Sequence, residues 1–217
     1  MFNVLGLIFY LEKAMVRKTK EDALVTRNSI LDAASTLFAE KGVSGTTLQH
    51  IASAAGVTRG AIYWHFIDKG ALFDAMMERA KMPFESAMGL LDKQDGNDPL
   101  GDIREYAVTV FRFTMEDENA RRAFEIATLK IEYTGEMAVV HERRAQSQAG
   151  WLLRVEGKVR AGMRSGQIKA GVKPKAVALG LWVLVEGLIR NWVMGLDFNL
   201  MKMGADIVDM HLDSLRS

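Results

Sequence analysis

The 217-residue chain has no cysteine. That single absence excludes a disulfide framework, thiol nucleophiles and cysteine-ligated zinc. Proline is nearly absent as well: there are 3, where ordinary usage of about 5% would supply roughly eleven. A chain this poor in helix breakers leans all-α. Excess charge of one sign is also missing, since 28 Lys+Arg face 27 Asp+Glu for a formal charge of +1. The chain is therefore not a uniformly basic nucleic-acid coat, although a local patch can still bind DNA whatever the total. The four histidines, His50, His65, His141 and His211, are widely spaced. No H-E-x-x-H, G-x-S-x-G, Walker-type or G-x-G-x-x-G sequence occurs, so neither an enzyme nor a metal or cofactor site is expected.

Long hydrophobic runs are few. Met1 to Leu11 is apolar but lacks a basic leader and is too short to cross a bilayer of about 30 Å. Ala176 to Leu196 is long enough, yet it holds Glu186, Arg190 and Asn191, and a central arginine costs roughly 2.5–3.5 kcal/mol on insertion. Glu186 and Arg190 stand four apart, the favourable order for a helical ion pair. This stretch reads as a buried helix of a soluble protein, with a cytoplasmic location and no membrane partner expected.

Apolar residues make up 49% of the chain and charged residues 25%, enough to bury a core, so disorder is excluded. From Thr26, the stripe Ile30, Leu31, Ala34, Leu37 and Phe38 has helical spacing, and Gly42 ends it in the position glycine favours. Thr46 and Gln49 fit a capping box opening a second helix, whose inner face is Leu48, Ile51, Ala52 and Ala55. After Gly56 and Val57, Thr58 caps a short third helix carrying Ala61, Ile62 and Phe66, and Asp68 caps a fourth. Two short helices joined by Ala-Gly-Val-Thr have the spacing of a helix-turn-helix. Longer helices are expected over about 68–91, 100–115, 120–133, 136–163, 174–195 and 200–215, with a break near 95–101. The fold class is all-α: an N-terminal three-helix helix-turn-helix domain plus a larger C-terminal helical domain, about nine helices.

The run Thr26-Arg-Asn-Ser-Ile-Leu-Asp-Ala-Ala, then Leu37-Phe-Ala-Glu-Lys-Gly-Val, Thr46-Thr-Leu-Gln-His-Ile-Ala and Ala55-Gly-Val-Thr-Arg-Gly-Ala-Ile-Tyr-Trp-His-Phe-Ile-Asp-Lys69 resembles the DNA-binding domain of TetR-family repressors. Thr58 to Phe66 is similar to the branch that controls multidrug efflux pumps, the AcrR and TtgR type, as are Tyr133 to Val140 and Val185 to Trp192. Members of that branch begin as Met15 to Lys20 do here. Residues 1–14 are then an extension, either packing on nothing or capping an apolar groove. The remaining boundaries expected are 15–70 for the DNA-binding domain, with its motif at about 47–66, and 71–217 for a ligand-binding and dimerisation domain.

A recognition helix starting at Thr58 would place its first residues in the major groove. Arg59 is its long cation and the candidate for a bidentate guanine contact. Thr58 and Ala61 suit a thymine methyl, with Gly60 between them. Tyr63, Trp64 and His65 suit phosphate and sugar contacts, and so do Thr47 and Lys69 at neighbouring helix starts. Tyr63 and Trp64 have the alternative of packing in the core, Arg59 and Lys69 that of plain surface charge. For the body, the resemblance implies an effector pocket at Tyr106, Val110, Phe124, Thr128, Trp151, Val155, Leu181, Trp182, Val185 and Ile189, with Arg190 at its edge. It also implies a homodimer through the last two long helices, with Met201, Ile207, Val208, Met210, Leu212 and Leu215 on the second of them.

The function expected is a ligand-responsive repressor that binds a palindromic operator on double-stranded DNA as a dimer. A hydrophobic or aromatic small molecule would release it, and a multidrug efflux operon would be its target, a setting of antibiotic resistance. The alternatives are an activator or regulator of another metabolic operon on the same fold, or a helical ligand-binding protein without a DNA role.

Overall fold

The computed structural model describes residues 4–92 and 98–217, with side chains from residue 20 onward apart from 81–86. Nine α-helices follow in these residues: α1 (Val4–Lys41), α2 (Leu48–Ala55), α3 (Arg59–His65), α4 (Lys69–Asp92), α5 (Pro99–Glu116), α6 (Glu118–Leu129), α7 (Ala138–Arg164), α8 (Pro174–Val193) and α9 (Leu200–Asp213). A 3₁₀ turn, Gly135–Met137, precedes α7. The chain is all-α, and among the described residues β-structure is limited to an isolated bridge between Ile168 and Arg216.

Two compact units divide at residues 1–76 and 77–217. The first is organised around Ile30, Leu31, Ala34 and Phe38 of α1, Ile51 and Ala52 of α2, Ile62 of α3 and Phe73 of α4, each at most 1% exposed. Helix α1 begins at Val4, well before the stripe that opens at Thr26. Leu11 to Leu24 is rich in Leu, Glu, Lys, Ala, Met and Arg and holds neither proline nor glycine, so nothing local stops the helix. What residues 1–14 pack against concerns side chains outside the described residues.

The second unit has its core on facing stripes of α5, α7, α8 and α9, including Ile103, Phe111, Trp151, Val155, Leu181, Ile189, Val208 and Leu212. The ammonium of Lys158 (α7) meets the Asp102 carboxylate (α5) at 2.5 Å, with side chains only 6% and 12% exposed. Arg104 grips Asp209 of α9 through two bonds of 2.6 and 2.9 Å. At the start of α5, Asp98 accepts from the Gly101 amide at 2.9 Å and from the Gln167 side chain at 2.6 Å. Those two hydrogen bonds hold its carboxyl below the ordinary range. The chain terminus is laced to the same corner, Lys169 N–H donating to Leu215 O and Ser217 N–H to Gln167 O.

The depressed Asp98 pKa fixes the sign of a pH effect. Its contribution is fully present above the ordinary carboxylate pKa of about 3.9 and is lost as pH falls through the lower folded-state value. Asp98→Ala is expected to reduce unfolding stability by about 1 kcal/mol at neutral pH. The gap to the parent protein should close in strong acid, as read by urea midpoints across pH.

Candidate nucleic-acid interface and effector cavity

The helix-turn-helix is built by caps. Thr47, not Thr46, opens α2: its Oγ1 accepts from His50 N–H at 3.2 Å, and His50 Nδ1 accepts from Thr47 N–H at 3.4 Å. The capping box is therefore Thr47/His50 rather than Thr46/Gln49. Thr46 is drawn inside instead, fully buried, with its hydroxyl donating to Gly42 O at 2.8 Å to close the end of α1. Gly56 has φ +67°, a left-handed conformation costly for any residue with a Cβ. It directs its own N–H toward Ser53 O while Val57 N–H reaches Ala52 O. Thr58 Oγ1 then accepts from Ala61 N–H at 3.2 Å and starts α3.

That geometry sorts the residues of α3. Ile62 and the following Phe66 enter the core, whereas Tyr63 is 47% exposed and Trp64 73% exposed. Two large aromatics outside the core exclude the packing alternative. Thr58, Arg59 and Gly60 are exposed and Ala61 half-buried beside them. The Arg59 guanidinium donates to the Tyr63 hydroxyl at 3.2 Å and lies 5.5 Å from its ring centre. His65 is half-buried and meets Trp64 edge-on at 4.6 Å. Burial first, and the Arg27 cation second, push its pKa down, so it presents a neutral ring at pH 7. The Lys69 ammonium donates to Val43 O and Thr46 O, each at 3.1 Å, and fastens the α1–α2 turn.

Gly60 is not demanded by the chain's own packing. A Cβ added there would find only Thr58 Oγ1, at 3.8 Å, and its φ is ordinary. Gly60→Ala is thus expected to raise head stability by up to about 1 kcal/mol through helix propensity; if Gly60 serves close approach to DNA, as the sequence leads us to expect, the same change lowers DNA affinity. Paired thermal melts and DNA titrations check both signs.

In the second unit, Ala127, Thr128, Tyr133, His141, Arg144, Ala145, Gln148, Glu186 and Arg190 line a cavity of ≈ 270 Å³. Of the expected pocket residues, Thr128 and Arg190 lie on this wall. Val110, Trp151, Val155, Leu181, Val185 and Ile189 are buried in the core, with Tyr106, Phe124 and Trp182 half-buried against it. Tyr106, Trp151 and Trp182 form an aromatic layer with ring separations of 5.8 and 5.2 Å. Burial pushes the Tyr106 hydroxyl up to about 12, the Trp151 indole opposing weakly, so it stays a neutral phenol. The buried Thr128 Oγ1 on the cavity wall has no hydrogen-bond partner, and such a group costs about 1–3 kcal/mol.

The Glu186–Arg190 pair expected from spacing is replaced by a tertiary one, Arg144 to Glu186 at 2.7 Å. Tyr133, His141, Arg144, Gln148 and Glu186 lie outside the set of lining residues expected from the sequence. A signal for them exists: 141, 144, 148, 151 and 155 share one stripe of α7, polar in its first half and apolar in its second. The outward faces of α8 and α9 carry Leu179, Val183, Met203 and Met210, all 48–73% exposed. Val208, Leu212 and Leu215, expected at a subunit interface, instead pack in the protomer's own core. Among the described residues α8 is the helix long and apolar enough to cross a membrane, by length and composition only.

The profile of bacterial regulatory proteins of the TetR family matches residues 30–76, and that of the C-terminal region of MAATS-type transcriptional repressors matches residues 98–217. The HTH-type transcriptional regulator TtgR of Pseudomonas putida is 36% identical over 207 residues, covering 93% of this chain and 97% of its own. The chain belongs to the TetR family. Solved structures agree. NalD, the secondary repressor of the MexAB-OprM multidrug efflux pump in Pseudomonas aeruginosa, superposes with a TM-score of 0.82 at 30% identity, covering 90% of this chain and 98% of its own. SmeT in complex with triclosan gives 0.78 at 32% identity, covering 88% and 92%. As a TetR-family member this protein is a transcriptional regulator that binds DNA and responds to small molecules, not an enzyme.

Proposed function

We propose that this protein is a cytoplasmic repressor of a multidrug efflux operon, binding a palindromic operator as a homodimer and released by a hydrophobic or aromatic small molecule. The observation that carries the reading is the outward face of α3, where Arg59, Tyr63 and Trp64 are exposed on a capped helix and lie outside the core. In this assignment Arg59 reads a guanine, Thr58 and Ala61 meet thymine methyls, and Gly60 permits close approach. Thr47, Tyr63, Trp64, His65 and Lys69 contact phosphate and sugar, and Lys69 also holds the turn between α1 and α2. The DNA-binding domain is 15–70 and the body is 71–217.

Efflux control is supported by the roles of NalD and of SmeT, the repressor of the Stenotrophomonas maltophilia multidrug efflux pump SmeDEF. The triclosan complex of SmeT supports an aromatic effector. So does the aromatic layer of Tyr106, Trp151 and Trp182, and so does the unpartnered Thr128 Oγ1 on the cavity wall, which a ligand's acceptor would satisfy. The pocket assigned is that layer with Val110, Phe124, Val155, Leu181, Val185 and Ile189 behind it, and Arg190 at the edge. Dimerisation is supported by the outward apolar faces of α8 and α9, which one short recognition helix per half-site also requires.

The test is an anisotropy titration on the duplex upstream of the protein's own gene, with excess non-specific DNA, at two salt concentrations. Tight binding that survives competitor with a steep salt dependence is expected. Binding no better than to random duplex counts against the reading.

A further inference from the structure

Arg144, on the second turn of α7, holds three separate parts of the body at once. One guanidinium nitrogen donates to the Ala127 carbonyl and, at 3.1 Å, to the Tyr133 hydroxyl; the other donates to Glu186 of α8 at 2.7 Å. Ala127 lies in the last turn of α6, where carbonyls have no N–H left within the helix. The Tyr133 hydroxyl donates to that same carbonyl at 2.9 Å. A single planar fork therefore ties the end of α6, the connection behind it and α8. All four of these residues line the ≈ 270 Å³ cavity, together with Thr128, whose buried hydroxyl has no partner. A molecule entering the cavity therefore meets this fastening as part of its wall.

The geometry points to Arg144 as the residue that couples occupancy of the cavity to the position of α6. In the ligand-free body its fork holds the α6 terminus in the operator-competent arrangement, and an effector draws the guanidinium away from the Ala127 carbonyl. The inference rests on reading the body as an effector-sensing domain. An effector bearing a phenolate or carboxylate competes with Glu186 for the fork, whereas one that leaves the fork in place favours neither arrangement and so shifts nothing. Lysine cannot replace it: an ammonium is a single point charge and cannot span a carbonyl, a hydroxyl and a carboxylate in one plane.

The experiment compares the full-length protein with Arg144→Lys. Without ligand, the variant is expected to bind operator about five-fold or more weakly, the low end of ordinary allosteric coupling. With saturating triclosan as the probe, the parent protein is expected to lose about ten-fold in affinity and the variant less than about two-fold. Hydrogen exchange should quicken in the variant in peptides covering residues 126–134. A purely structural role would lower the melting temperature and quicken that local exchange but leave ligand-free affinity and triclosan response at parental values, and that result overturns the inference. If the parent protein itself ignores operator or triclosan, the proposed function is what fails. The exchange comparison, which needs neither DNA nor ligand, then still tells whether Arg144 fastens the end of α6; parental exchange there overturns the inference by itself.

Discussion

Arg59→Ala is expected to abolish most operator discrimination while leaving the fold intact. A bidentate arginine–guanine contact separates right from wrong base by about 1–3 kcal/mol. Two half-sites double this to roughly 2–6 kcal/mol, at least a thirty-fold loss of affinity. The fold should tolerate the change, because Arg59 is exposed and its contacts are to the exposed Tyr63; surface substitutions of this kind stay within about ±0.5 kcal/mol. The salt slope separates base reading from backbone contact. Losing a phosphate contact lowers the slope by about one and weakens all sequences alike. Losing a guanine contact leaves the slope nearly unchanged and relaxes preference at one operator position. The Arg59–Tyr63 hydrogen bond adds a second expectation: Tyr63→Phe frees the guanidinium and should weaken specific binding more than non-specific binding. An Arg59→Ala protein that keeps parental affinity and discrimination would remove Arg59 from the reading head.

Much of the head is legible in the sequence because its signals are local. Periodicity places Ile30, Leu31, Ala34 and Phe38 inside, Gly56 at the turn and Thr58 at the start of α3. The α2 cap lies one residue beyond the expected position because two adjacent threonines satisfy the same rule. What separates them is burial: Thr46 is enclosed by α1 and its hydroxyl is spent on Gly42 O. The body is legible as helices but not as contacts. Spacing carries α6 on to Tyr133, since Ile131 and Tyr133 continue an apolar pattern. The helix stops at Leu129 as the Tyr133 hydroxyl and Arg144 together take up the Ala127 carbonyl. Likewise Glu186 pairs with Arg144, 42 residues away, rather than with Arg190 four residues on. A fork arriving from a neighbouring helix is invisible to spacing along one helix.

The second large effect concerns α8, whose apolar residues on nearly every side conceal which face meets a partner. Val177, Leu181, Val185 and Ile189 point into the protomer's core, whereas Leu179 and Val183 are 50% and 61% exposed. Residues 179 and 183 are one turn apart, so they make a continuous outward stripe, and Met203 and Met210 supply exposed apolar surface on α9. Burying such a stripe against its symmetry mate suits a two-fold interface, in which each residue meets the same patch on the other subunit. In the proposed dimer, Val183→Glu would place two like charges across such an axis without touching the protomer's core. The variant is expected to sediment as a folded monomer with near-parental helicity. With only one half-site engaged, its operator affinity should fall toward the non-specific level, roughly a thousand-fold or more. Effector binding should survive, since Thr128, Arg144 and Glu186 that line the cavity all come from one chain. A Val183→Glu protein that remains a dimer and binds operator as before would place the interface elsewhere. A monomer that still binds operator tightly would break the link between dimerisation and recognition.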